Sequence, residues 1–413
     1  MMPAQPLNVA VLGAGNRAQD HLQTLGRLGE LCRLVGICDA DAERAERAGE
    51  QYNVPAFTDL ERLLVETGPD LLYVIIHPDG HRAAVEVAAR RGVHVVSETP
   101  VAPTLPIVDA MLAAAERHGI ILEVAENVWR WPTERLKRRI VESGLLGEVT
   151  QVHIWYRSGS YHGMNATRTL IGRPPVRARG YVRETPVPTQ VDRSGRRLES
   201  GPYELGLVEF AGGAICVYQY PLHHHRGNYW DVVGTAGAII GGDLVLARDG
   251  ERLILPIQRD VDETGDTPVL RRVYVETDPP IVWENPLQHL PTGALNDEVA
   301  RADILHGMWR AIREGTGPVY GAANARADQE ILLAIRESAL RDGTWVDLPL
   351  TALTETERRI HAGYAARYGH DPLGPPDEAI RTFYPFITPA EIALGRAYAL
   401  ERRNVETSER PSA

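Results

Sequence analysis

The stretch that most constrains this chain is VLGAGNRA at residues 11–18. It follows an apolar run at residues 7–12, which reads as a buried parallel strand, and it leads into a helical pattern at residues 21–28. Gly13, Gly15 and Ala18 fill the three small-residue positions of a dinucleotide-binding turn. The first permits a tight bend, the second lets backbone approach a pyrophosphate, and the third lets helix pack closely on strand. The N-terminus of the helix that follows faces the phosphate charge. A second apolar strand at residues 34–38 ends in Asp39, about twenty residues beyond the turn, where a carboxylate can accept ribose hydroxyls. With no arginine immediately after it, Asp39 favours NAD over NADP, because a carboxylate repels a 2′-phosphate. The alternative role for Asp39 is a helix cap.

Up to about residue 125 short apolar strands alternate with amphipathic helices, which predicts a doubly wound parallel sheet. Helices are expected within DAERAERAGEQY (41–52) and at residues 82–91 and 106–118. LLYVII (71–76) reads as a central strand buried on both faces, stopped by His77-Pro78. Further strands fall at residues 93–97 and 120–124. Ligands of such sheets lie outside the carboxyl ends of the strands, so Gly13, Asp39, His77, Glu98 and Glu126-Asn127 should converge on one crevice.

After Asn127 the texture changes. A basic helix at residues 132–143 precedes strand candidates at 149–156, 205–210, 214–220, 230–234, 238–240 and 253–257. That run predicts a separate, mainly antiparallel open-sheet α+β unit. Helices return at 297–314 and 323–340, and a short strand follows at 345–348. Capping boxes at Thr354-x-x-Glu357 and Thr388-Pro389-x-Glu391 predict a helical tail, with disorder from about Val405. The expected divisions are 1–127, 128–350 and 351–413.

With 413 residues the chain can bury two cores, and a net charge of −11 argues against nucleic acid or an anionic membrane as principal partner. Cys32, Cys38 and Cys216 form no CxxC pair and read as buried reduced thiols. No apolar run approaches the length of a membrane span, and no secretory pattern opens the chain, so a cytoplasmic protein is expected.

The blocks VLGAGNRA, CDADAERA, IIHPDGHRAAVEVAARRGVHVVSETPVA, ESGLLGEV, HGMNATRTLIG, GTAGAII and the helix ending IRESAL follow one another in a familiar order. Together they resemble the glucose–fructose oxidoreductase, inositol dehydrogenase and rhizopine-catabolism (Gfo/Idh/MocA) family over roughly residues 5–350. The resemblance implies an N-terminal Rossmann domain and a C-terminal sheet domain that carries the substrate site, often in homodimers or homotetramers. It also implies NAD(P)-dependent oxidation or reduction of a hydroxyl on a sugar, cyclitol or similar small molecule. Two departures stand out. Glu98-Thr99-Pro100 replaces the usual Glu-Lys-Pro, so a positive charge beside the reacting oxygen is missing. Ser158 stands where an aspartate four residues before the histidine is usual, and Asn165 where another aspartate is common.

The histidine itself is His162, the candidate acid–base residue, because imidazole can take and return a hydroxyl proton near neutral pH. Tyr161 is the second catalytic candidate. The cofactor candidates are Gly13, Gly15, Asn16, Arg17, Asp39, His77, Pro78, His81, Glu98 and Asn127. For His81 the competing role is a helix-opening residue, and for Asn127 the satisfaction of a turn. No metal site is expected: His223 and His225 would share a strand face but lack a third ligand, so the 223–226 segment reads as pocket lining or exposed loop. Trp129, Trp131 and Trp230 could offer stacking faces to a sugar or simply fill core. The leading expectation is an NAD(H)-dependent oxidoreductase. The missing lysine keeps two others open: redox-neutral glycoside cleavage or epimerisation with tightly held NAD, through a His-Gly-x-Gly-like segment at 162–165, and a catalytically impaired nucleotide-binding scaffold.

Overall fold

The computed structural model describes residues 5–155, 160–191, 197–220, 229–248, 250–382 and 384. Six strands form an all-parallel sheet: β1 (Leu7–Leu12), β2 (Cys32–Cys38), β3 (Ala56–Phe57), β4 (Leu71–Val74), β5 (His94–Ser97) and β6 (Leu122–Val124). Their order, β3-β2-β1-β4-β5-β6, reverses direction between β1 and β4, the switch point at which a doubly wound sheet opens its crevice. The helices of this half are α1 (Asn16–Arg27), α2 (Ala42–Tyr52), α3 (Leu60–Thr67), α4 (His81–Arg90) and α5 (Leu105–His118).

Alternation along the strands splits the core into two layers. Ala10, Leu12, Leu72, Val74 and Val95 face α3, α4 and α5. Val9, Val11, Leu71, Tyr73 and Val96 pack with Leu22 and Leu25 of α1 on the opposite side. Several elements of this half differ from expectation. Helix α1 begins at Asn16, five residues early, because Gly15 itself serves as its N-cap. Strand β4 ends at Val74, short of His77. Helix α3 was not foreseen, although Asp59 caps it through the Arg62 amide at 2.9 Å and Gly68, at φ 52°, ends it.

Two short helices follow, α6 (Asn127–Arg130) and α7 (Pro132–Glu142). Beyond them come β7 (Val149–Trp155), α8 (Ser160–Ile171), β8 (Pro175–Val191), β9 (Arg197–Phe210), β10 (Ile215–Tyr220), β11 (Tyr229–Gly234), β12 (Gly237–Ile240), β13 (Asp243–Arg248) and β14 (Glu251–Pro256). A three-stranded antiparallel sheet holds β15 (Gln258–Asp262), β16 (Val269–Val275) and β17 (Ile281–Glu284). The remainder is α9 (Asn296–Glu314), α10 (Gly321–Leu340), β18 (Val346–Asp347), α11 (Glu355–Tyr368) and α12 (Pro376–Ala379). The large sheet runs β14-β13-β12-β11-β7-β10-β9-β8-β18 and is antiparallel throughout except for the β7–β10 pair. The mainly antiparallel second sheet was expected. Strands β8, β13 and the three-stranded sheet were not.

Helices α8 and α10 pack on the large sheet, and α7 packs on β16 and β17 of the three-stranded one. Gly180 of β8 is what lets α10 lie so close: a Cβ there would stand 1.9 Å from the Ile335 carbonyl oxygen. Helix α9 goes the other way. Its Ala302, Ile304, Leu305 and Met308 complete the α1 side of the first sheet's core, so packing crosses the expected division at residue 127. All three cysteines are buried, and burial pushes the thiols of Cys32, Cys38 and Cys216 up to about 12. Among the described residues no helix is long and apolar enough to cross a membrane, and no group of acidic, His or Cys side chains could hold a metal ion. Ser158, the 223–226 segment, the 388–391 capping box and the tail from Val405 lie outside the described residues.

Candidate active site at the ends of the parallel strands

Gly13 and Gly15 are both needed, for different reasons. At Gly13 the backbone turns with φ 104°, and a Cβ would meet the Ile75 carbonyl oxygen at 2.1 Å, so this glycine is demanded by the exit of β4. At Gly15 nothing among the described residues lies within 4 Å of where a Cβ would stand, and as N-cap it supplies no side chain to the first amides of α1. The turn therefore offers open space in front of uncapped N–H groups, which is what an anionic pyrophosphate requires. Ala18 is fully buried beneath it. Asp39 is stitched to the same turn: Oδ2 accepts from the Ala14 amide at 2.8 Å, Oδ1 from the Asp41 amide at 2.9 Å. The helix cap of α2 is Asp41, not Asp39. A carboxylate has about four acceptor sites, so Asp39 keeps capacity for ribose hydroxyls. Open space, uncapped amides and this carboxylate fit a dinucleotide.

Beyond β4, His77 precedes a single 3₁₀ turn, and its Nδ1 accepts from the Asp79 amide at 3.2 Å. Pro78 is buried in that turn. His81, a cofactor candidate, stands between two loops. It is fully buried, with Nδ1 3.1 Å from the Val101 carbonyl oxygen and Nε2 3.0 Å from that of Ile76. It ties the loop after β4 to the loop after β5.

Glu98, another cofactor candidate, is also held by protein groups. Its Oε1 accepts from Arg17 Nε at 2.6 Å and lies 2.8 Å from His21 Nε2, while Oε2 accepts from the Thr99 amide at 2.6 Å and the Thr99 hydroxyl at 3.0 Å. Burial alone would raise this carboxyl; Arg17, His21 and the Thr99 amide outweigh it and hold Glu98 well below the usual carboxylate range. Its acceptor capacity serves the protein's own groups. Arg17 reaches onward to Asp297 Oδ2 at 3.2 Å, so its guanidinium sits between two carboxylates and stays charged despite burial.

The Thr99 hydroxyl, donating to Glu98, also accepts from Tyr161 Oη at 3.2 Å. Burial pushes the Tyr161 phenol up, with Glu126 and Glu98 adding to the shift, so it stays neutral. Tyr161 and His162 lie on the first turn of α8, with ring centroids 4.2 Å apart. The carboxylate partner that Ser158 fails to supply is Glu126, whose Oε1 lies 2.6 Å from His162 Nδ1. Glu126, at the end of β6, is buried and caps α6 by accepting from the Val128 amide at 3.0 Å. A carboxylate accepts, so Nδ1 carries the ring proton and Nε2 the lone pair of a neutral imidazole.

Asn127 donates from Nδ2 to Asp297 Oδ1 at 2.5 Å, and its own Oδ1 is buried without a hydrogen-bond partner among the described residues. Asp297, in the first turn of α9, also receives Arg301. Asn165 faces away, donating to Asp328 Oδ2 of α10 at 3.0 Å. The tryptophans are engaged by protein: Trp131 stacks on Trp230 at 6.1 Å, Trp230 Nε1 donates to Glu134 at 2.7 Å, and Arg138 covers Trp129 at 4.7 Å. Sequence reasoning missed Glu126 as a partner of His162, and His21 and Asp297 as members of the charged cluster. Glu126 had one signal, an acid directly after a buried strand; nothing local marks the other two.

The model of the oxidoreductase family with an NAD-binding Rossmann fold matches residues 7–126. D-apiose dehydrogenase of Paraburkholderia graminis is 32% identical over 36% of this chain and 40% of its own length. Levoglucosan dehydrogenase of Pseudarthrobacter phenanthrenivorans is 25% identical over 84% of this chain and 99% of its own length. The first curated relatives are thus matched over only 37–40% of their length. In fold, the chain is similar to a levoglucosan dehydrogenase solved with NADH and levoglucosan (TM-score 0.66, 20% identity, 84% of this chain and all of that one). It is also similar to an aldose–aldose oxidoreductase of Caulobacter crescentus solved with glycerol (TM-score 0.60, 22% identity, 83% of this chain and all of that one).

Proposed function

We propose that this chain, whose residues 7–126 match the model of the Gfo/Idh/MocA oxidoreductase family, transfers hydride between NAD(H) and a hydroxyl or ketone of a sugar, cyclitol or related small molecule. The observation that carries this reading is the His162–Glu126 pair at 2.6 Å, an imidazole oriented by a buried carboxylate at the mouth of the crevice. The amides of Gly15, Asn16 and Arg17 hold the pyrophosphate, and Asp39 holds the adenosine ribose and disfavours a 2′-phosphate. When bound, the nicotinamide supplies the hydride acceptor or donor.

The chain's own work is to move one proton and hold one oxygen. In the oxidative direction the substrate carbon loses hydride, while its hydroxyl proton passes to His162 Nε2. Glu126 stabilises the imidazolium that forms, through the Nδ1–H bond. Tyr161, neutral and donating its own proton to Thr99, would meet the reacting hydroxyl through its remaining acceptor capacity, without lending a charge. The sugar dehydrogenases among the relatives support a carbohydrate-like substrate. With Glu126 in the place of the lost aspartate, a main reason for the impaired-scaffold reading falls away.

The test is a panel of aldoses, polyols and cyclitols with NAD+, followed at the nicotinamide absorbance band. At least one should give turnover, and His162→Ala should lower kcat/KM by roughly 10²–10⁴-fold, the usual worth of a positioned acid–base group. Turnover unaffected by His162→Ala would overturn the assignment.

A further inference from the structure

The segment 354–382, with Tyr384, follows the last strand of the large sheet, returns to the first sheet and grips the two loops that leave β4 and β5. On the β5 side, Glu357 Oε1 accepts from the Leu105 amide at 3.0 Å, capping α5, whose own N-cap Thr104 makes no side-chain cap bond. Thr104 Oγ1 in turn lies 2.8 Å from His361 Nε2. Residues 98–104, ending at this anchor, carry Glu98 and Thr99.

On the β4 side, Tyr384 lies over Gly80: a Cβ there would come within 2.9 Å of two Tyr384 ring carbons. The Tyr384 hydroxyl donates to the Ala379 carbonyl oxygen at 2.9 Å and lies 2.9 Å from the Tyr364 hydroxyl, which fixes the ring. Arg82 donates to the Gly374 carbonyl oxygen at 2.5 Å, and Arg90 to Asp377 at 2.8 Å. Between the anchors stands His81, packed between a carbonyl of each loop, Val101 at 3.1 Å and Ile76 at 3.0 Å, and donating to one of them from its single ring N–H.

The strand order says which half of a dinucleotide these loops meet. The turn after β1 takes the pyrophosphate and Asp39 after β2 the adenosine ribose, so β4 and β5, on the other side of β1, lie under the nicotinamide half. We propose that residues 354–382 and Tyr384 act as a clasp that sets both loops for the nicotinamide half, with Glu357, His361 and Tyr384 as positioning residues. This rests on the dinucleotide reading above.

The experiment compares two probes on the full-length chain, NAD+ and ADP, by titration calorimetry. Tyr384→Ala and His361→Ala should each weaken NAD+ by about five-fold or more while ADP stays within about two-fold of the parent, because only NAD+ reaches the clasped loops. Tyr384→Phe keeps the ring on Gly80 and should restore NAD+ affinity to within about two-fold. Should Tyr384→Ala fail to fold, His361→Ala, which removes one partly buried hydrogen bond, decides the matter alone. Equal weakening of both probes, or no change in NAD+, overturns the clasp. A parent chain that binds neither probe overturns the dinucleotide reading itself, and the clasp with it.

Discussion

Replacing Glu126 by glutamine tests the acid–base pair at its most exacting point. The amide is nearly isosteric and can still accept from the Val128 amide and from His162 Nδ1–H, so α6 and the imidazole tautomer survive. What is lost is the negative charge facing an imidazolium that exists only as the hydroxyl proton is transferred. Hydrogen bonds to charged groups contribute about 1.5–3 kcal/mol. At about 1.4 kcal/mol per decade that is roughly a ten- to hundred-fold loss of rate. The loss should fall on kcat and equally on kcat/KM, with KM little changed, because the interaction strengthens only in the transition state. Steady-state kinetics with any substrate from the panel reads this directly. A kcat within about two-fold of the parent, or a change confined to KM, would refute the pairing as a catalytic device.

Other expectations concern the turn, the charged cluster and cofactor choice. Gly13→Ala should destabilise the fold in urea titrations by at least the ~1–3 kcal/mol of its left-handed backbone, with the Ile75 clash added, whereas Gly15→Ala should leave the urea midpoint unchanged and weaken NAD+ binding. Glu98 is held well below the ordinary carboxylate range when folded and titrates near 4.3 when unfolded, so its stabilising contribution is full at neutral pH. That contribution drains away as pH falls below about 4, and Glu98→Gln should flatten this acid limb of the stability curve. Asp39→Ser should raise the NADP-to-NAD preference, read from the two dissociation constants; an unchanged ratio would remove Asp39 as the discriminator.

How far the sequence alone reaches follows from the range of each interaction. The nucleotide turn could be read because Gly13, Gly15 and Ala18 act within one bend and Asp39 closes on the Ala14 amide of that bend. The parallel strands were readable because burial on both faces leaves continuous apolar runs such as LLYV. Strand β8 was hidden: its prolines and arginines read as loop, since its outer face is exposed, and its inner face uses glycine at 180 to admit α10. The partners of His162 and Glu98 were beyond reach for a different reason. Glu126 stands 36 residues from His162, and His21 stands 77 from Glu98, so no local spacing encodes either contact. Conversely, Glu98 and His81 seemed available to a cofactor because their protein partners come from other elements.

The most direct measurement is a crystal structure of the chain with NAD+ and a substrate from the panel. The account predicts pyrophosphate oxygens on the first amides of α1, a ribose on Asp39, and the reacting hydroxyl within about 2.6–3.2 Å of His162 Nε2. A nicotinamide turned away from His162, or a substrate hydroxyl paired with some other base, would contradict it.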